Sequence, residues 1–93
     1  MLEFEWDEAK ARANERKHGV SFERAKQAFT DPLAIVLLDD REDYGEERFV
    51  LIGLGGTSIL FVAYTERGDR VRIISARRAT RHEQEAYQEQ RDD

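Results

Sequence analysis

The chain contains no cysteine, which excludes a disulfide framework and thiolate chemistry. With only two histidines, His18 and His82, it also lacks the donors of a structural zinc site, and no metal or other cofactor is expected. The acidic loop DDREDYGEE has neither the glycine nor the closing glutamate where a calcium loop needs them. Long apolar runs are missing. The longest, Leu33 to Leu38, falls far short of the roughly 20 residues that cross a bilayer. The opening MLEFEWDEAK is acidic and has no apolar core, so it does not read as a secretory signal. There is no phosphate-cradling glycine loop, no nucleophile elbow, no repeat and no linker. A cytoplasmic chain is expected, with no membrane association.

What is present is charge, unevenly placed. The 93 residues suit one domain, 1–93, with 38% charged residues and a net charge of -5. Yet Arg67 to His82 holds six arginines, Arg67, Arg70, Arg72, Arg77, Arg78 and Arg81, against one acid, Asp69. Guanidinium groups stay charged at physiological pH and pair with phosphate oxygens in a bidentate fork. Net negative charge argues against a general nucleic-acid coat, but not against one focused phosphate site.

Periodicity predicts the scaffold. EFEW alternates as a short strand, and Asp7 caps a helix that ends at His18-Gly19. Ser21 caps a second helix with Phe22, Ala25, Ala28 and Phe29 as its buried stripe, stopped before Pro32. Four strands follow: 33–39, 48–54, 57–66 and 70–77. The first, almost wholly apolar, is expected to be covered on both faces. Turns are placed at Gly55-Gly56 and Arg67-Gly68-Asp69. Thr80 and Glu83 form a capping box for a polar helix to about residue 91, resting on Ala79, Ala86 and Tyr87. The expected class is α+β: an antiparallel meander of about four strands against two N-terminal helices, with a C-terminal helix and all helices on one face.

Strand parity nominates the site. Tyr64, Glu66, Arg70 and Arg72 are expected on one face, and Arg77 and Arg78 at the exit toward the last helix, where a cationic pocket would form. Arg77 and Arg78 would stabilise charge on a reacting phosphodiester, with Arg67, Arg70, Arg72 and Arg81 binding the rest of the backbone. Lys17 and His18 would serve as phosphate ligand and proton shuttle if the cleft borders the first helix. Glu66 is the alternative base, with Tyr64 assisting. A plainer account of Arg70 and Arg72 is cross-strand pairing with Glu46, Glu47 or Glu66, contributing about 0–1 kcal/mol each. Lys10, Arg12, Arg16, Lys17 and His18 form a second candidate cluster, with Lys10 and Lys17 two turns apart on one face, while Arg12 and Arg16 read as a solvated helix surface.

Four segments carry a family resemblance: FEWDEAKARANERKHGVSFERA, DPLAIVLLD, GEERFVLIGL and YTERGDRVRIISARRATRHEQEAY. In this order and spacing the chain resembles the BrnT family of type II toxins. The resemblance implies a RelE-like fold and a ribonuclease that arrests translation by cutting RNA without metal. It also implies a BrnA-like antitoxin whose ribbon-helix-helix part binds operator DNA, in a complex of two toxins and two antitoxins. Within the matching motifs it points to Arg77 and Arg78, then Glu66 and Arg67, then Lys17 and His18. The competing class is a non-catalytic module for nucleic acid or a partner, since the two N-terminal helices have a helix-turn-helix outline.

Overall fold

The computed structural model describes residues 2–91. The chain runs β1 (Glu3–Glu5), α1 (Glu8–His18), α2 (Phe22–Ala28), β2 (Ile35–Leu38), β3 (Phe49–Gly55), β4 (Ser58–Arg67), β5 (Arg70–Arg78) and α3 (Arg81–Arg91). Local chemistry sets the helix ends. Asp7 accepts the Lys10 amide at 3.1 Å, and Ser21 accepts the Arg24 amide at 3.1 Å. Gly19 closes α1 at φ 71°, a left-handed conformation that suits glycine, and Val20 is fully buried behind it. The Thr80–Glu83 capping box forms as expected: Glu83 accepts the Thr80 amide at 2.8 Å and the Thr80 hydroxyl accepts the Glu83 amide at 3.2 Å.

The five strands form one mixed sheet in the order β1-β5-β4-β3-β2. β2 through β5 are an antiparallel meander. The sequence expectation of a wholly antiparallel sheet is corrected at one edge, where β1 pairs parallel to β5. β1 ends opposite Arg72, and α1 then takes over the β5 edge. The buried Asn14 side chain accepts the Ala76 amide at 3.1 Å and donates to the Ala76 and Val20 carbonyls at 2.8 and 3.0 Å. The first hairpin turn is shifted by one residue from the expected Gly55-Gly56, since Gly55 pairs with Ser58 and leaves Gly56-Thr57, and the second is tighter than expected, since Arg67 pairs with Arg70 and leaves Gly68-Asp69.

The main core lies between the sheet and α1/α2. Phe22, Ala25, Ala28, Leu51, Leu60, Val62, Ile73 and Ala76 are buried there. Fully burying a large aliphatic side chain such as Leu60 stabilises by about 1.5–3 kcal/mol. α2 approaches β3 so closely that a Cβ on Gly53 would lie 2.9 Å from the Ala28 carbonyl oxygen. A smaller cluster of Val50, Ile52 and Tyr87 lies on the other face of the sheet. α3 therefore packs opposite α1 and α2, which corrects the expectation of helices on one face only. β2 departs further from expectation: Val36, Leu37 and Leu38 are 52%, 53% and 57% exposed, not covered on both faces. As the outer strand, β2 has no neighbour on its far side among the described residues.

Candidate nucleic-acid interface

A β-bulge decides which arginines share a face. Tyr64 pairs with Ile73 and Ala63 with Ser75, so Ile74 is an extra residue on β5. Parity switches there. Val71 and Ile73 face the main core before the bulge, and Ala76 does so after it. Arg70 and Arg72 therefore share the opposite face with Ser75 and Arg77, beside Phe61, Thr65 and Arg67 of β4. Tyr64 and Glu66 pair with Ile73 and Val71 and face the other way. The expected grouping of Tyr64 and Glu66 with Arg70 and Arg72 is thus corrected by the register of the hairpin.

α3 covers one end of this second face. At the other end a polar recess of about 190 Å³ opens where β5 begins. Its lining brings together Lys10, Arg48, Arg67 and Arg72 with two carboxylates, Asp7 and Glu46. Lys10 arrives because the parallel pairing of β1 sets the start of α1 against β5. Arg48 arrives from the head of β3, in line with Thr65. The Arg48 guanidinium lies 4.0 Å from the Tyr44 ring centroid, and its Nε is buried without a hydrogen-bond partner. Glu46 stands 3.6 Å from Arg48 and 3.8 Å from Arg67, longer than hydrogen bonds. Arg72 donates to Glu5 at 2.8 Å, and that bond, with burial opposing it, holds the Glu5 carboxyl below the usual carboxylate range. Asp7 is likewise lowered, chiefly by the Lys10 amide.

The other predicted residues lie elsewhere. Arg70 pairs with Glu3 and Glu5, both at 3.7 Å, on the rim of the same face. Arg77 sits farther along it, bound in a fork to Glu83 at 2.8 and 2.9 Å and stacked 4.0 Å from the Phe61 centroid. Arg78 faces the opposite side and is exposed. It lines a separate hollow with Leu54, Thr57, Ser58, Ile59 and Gln84, in which it is the one cation among the described residues. The cationic pocket expected where β5 meets α3 is thus displaced to the start of β5. Arg81 pairs with Glu85 at 3.4 Å on the exposed face of α3. Lys17 and His18 are the last residues of α1, away from the recess. Tyr64 is buried among Phe29 and Phe49, and burial, then Glu66, raises its phenol pKa.

Lys10 belongs to the basic cluster of the first helix but has no role assigned from the sequence, and Arg48 lies outside both basic clusters of the sequence. Lys10's position three residues after a helix-capping aspartate was the available signal. A larger concavity, about 850 Å³, is a different place: an apolar groove between β1 and α2, lined by Leu2, Phe4, Trp6 and Phe29. Its one cation, Lys26, is 3.3 Å from Glu23, so phosphate chemistry favours the smaller recess. Among the described residues no three histidine, aspartate or glutamate side chains group as metal ligands, and no helix is long and apolar enough to cross a membrane.

No curated protein matches the chain. A family model does: the ribonuclease toxin, BrnT, of type II toxin-antitoxin systems matches residues 6–83, a span that includes every cation of the recess.

Proposed function

Since the chain belongs to the BrnT family of type II ribonuclease toxins, we propose that it cleaves RNA in the recess at the start of β5, without metal. The observation that carries this reading is the convergence of Lys10, Arg48, Arg67 and Arg72 around one concavity, where the Arg48 Nε has only the long 3.6 Å contact to Glu46 among the described residues. A phosphate oxygen in the recess would give Arg48 and Arg67 the short, charge-assisted hydrogen bonds that Glu46 does not. Glu46, loosely held between two guanidiniums, gives way to or works beside that phosphate.

The reaction is transesterification. Glu46 takes the proton from a ribose 2′-hydroxyl, whose oxygen attacks the adjacent phosphorus. The bond from phosphorus to the 5′-oxygen breaks, and Lys10 protonates the departing oxygen. Arg48, Arg67 and Arg72 stabilise the charge that develops on the non-bridging oxygens. Glu66, His18 and Tyr64 do not line the recess, so the proton-transfer roles fall to groups that do. Arg70 and Arg77 lie along the same face and extend the track for the RNA backbone. We further assign the chain a RelE-like fold and a cytoplasmic site of action, with translation and growth arrest as the outcome. A BrnA-like ribbon-helix-helix antitoxin would neutralise it in a 2:2 complex, and operator DNA would be contacted only through that antitoxin.

The test is purified chain with labelled single-stranded RNA in EDTA. Lys10→Ala, Arg48→Ala and Arg72→Ala should each slow cleavage, by about 10²–10³-fold for a lost charge-stabilising donor. Arg77→Ala should lower stability more than rate, because its fork holds α3. Full activity in all three recess variants, with loss in Arg77→Ala alone, would move the site to the far end of β5. A retarded but intact RNA band from the wild-type chain would favour a binding module.

A further inference from the structure

Of the six large hydrophobic side chains exposed among the described residues, five gather at one place: Val36, Leu37 and Leu38 on β2, with Leu33 and Leu54 beside it. Asp31 ties the last two together, accepting the Leu33 amide at 2.9 Å and the Leu54 amide at 2.8 Å. β2 is also an edge strand. The Asp39 amide donates to the Arg48 carbonyl at 2.8 Å, so by alternation the amides and carbonyls of Val36 and Leu38 point away from β3. The opposite edge, β1, is three residues long and carries Glu3 and Glu5, charges that discourage further pairing. β2 has no charge, proline or bulge to do the same. A bare apolar edge of this kind is a template for another strand.

Charge identifies the occupant. β2 runs directly into Asp39-Asp40-Arg41-Glu42-Asp43, and Arg41 is committed to Asp39 at 2.7 Å. Asp40, Glu42, Asp43 and Glu47 have no ion-pair partner among the described residues. A second copy pairing β2 to β2 brings no cation to them, since β2 is flanked by Asp31 on one side and Asp39-Asp40 on the other. We infer that β2 receives an extended segment of the protein antitoxin, alternating apolar side chains over Val36 to Leu38 with lysines or arginines flanking it against the acidic loop. This rests on the toxin–antitoxin reading above. It separates two surfaces: the recess on the second sheet face for RNA, and the outer edge for the inhibitor.

The experiment takes the full chain and the protein product of the open reading frame adjacent to its gene. Amide hydrogen exchange of the complex should protect Val36 and Leu38, which exchange freely in the chain alone. Val36→Lys and Leu38→Lys, made at side chains already more than half exposed, should weaken binding about 30-fold or more while RNA cleavage stays unchanged. Binding should also weaken with salt. If the neighbouring protein binds with Val36 and Leu38 unprotected and the lysine variants keep their affinity, the β2 assignment is overturned and the toxin reading stands. If the chain alone is a dimer with these amides protected, the occupant is a second copy and the assignment likewise fails. If the wild-type chain neither binds the neighbouring protein nor cleaves RNA, the toxin–antitoxin reading fails first.

Discussion

Asn14 shows how much one side chain can decide. It is buried, and its amide replaces a neighbouring strand at Ala76 while also capping the Val20 carbonyl. Truncation to alanine leaves a buried N–H and two carbonyls without partners, each costing about 1–3 kcal/mol when unsatisfied. Water entry will relieve part of this. Asn14→Ala should therefore lose about 2–4 kcal/mol in a urea titration. Asn14→Asp should lose more, because a carboxylate cannot donate to Ala76 and Val20. A loss below half a kcal/mol in both would mean that α1 holds the β5 edge through packing alone. The recess depends on this anchor indirectly: Lys10 stands one turn before Asn14 on the same helix. A residue that reads in the sequence as an ordinary polar position in a helix thus fastens the helix that carries Lys10 to the edge of β5.

At the scale of elements, α3 is fastened by one carboxylate used twice. Glu83 closes the capping box with Thr80 and forks onto Arg77. Burial works to raise its pKa, but the Arg77 and Thr80 bonds outweigh that and hold it below 4.5. A carboxyl lowered in the folded state adds stability that is fully present above its unfolded value. That stability is lost as pH falls through the folded pKa. Wild-type stability should thus decline progressively below about pH 4.5. Glu83→Gln should be less stable at pH 7, by about 1.5–3 kcal/mol for charged hydrogen bonds, and flatter across the acid range. Parallel acid slopes in the two proteins would show that Glu83 is not the group responsible. The capping box was legible because its two residues are local and self-sufficient. The helix caps were legible for the same reason, and the β2–β5 meander because short turns join most of its neighbours, whereas the parallel pairing of β1 with β5 was not. The bulge at Ile74 left only a faint trace, a break in the alternation of β5 at the apolar pair Ile73-Ile74, and pairing with β4 is what identifies the extra residue. That single residue moved Arg77 to the face of Arg72. The exposure of β2 was also hidden: an apolar run of this kind reads alike whether a neighbour from the same chain or from another molecule covers it. The recess was half visible, its arginines on β5 and β4 evident from composition, its Lys10 and Arg48 supplied by contacts distant in sequence.

The whole molecule sets two fields against each other. Its net charge of -5 repels RNA at long range, while four cations in the recess attract a phosphate at short range. Salt separates these contributions because they respond with opposite sign. Screening the overall repulsion would strengthen binding as salt rises, over a Debye length of about 10 Å at 0.1 M. Direct phosphate contacts release counterions and weaken binding, with a slope of about −0.7 per phosphate neutralised on a single strand. If each of the four recess cations displaces one condensed counterion, at the reacting phosphate or beside it, log K should fall with log salt at a slope near −3, or about 50-fold between 50 and 200 mM. Lys10→Ala should make that slope shallower by about 0.7 as well as lowering the affinity. Arg81→Ala, whose guanidinium projects from α3 beside Glu85, should leave the slope unchanged. An affinity that rises with salt, or a slope indifferent to Lys10, would mean that RNA meets this acidic molecule somewhere other than the recess. A steep negative slope carried by Lys10 would show that a small local field governs recognition against the charge of the whole chain.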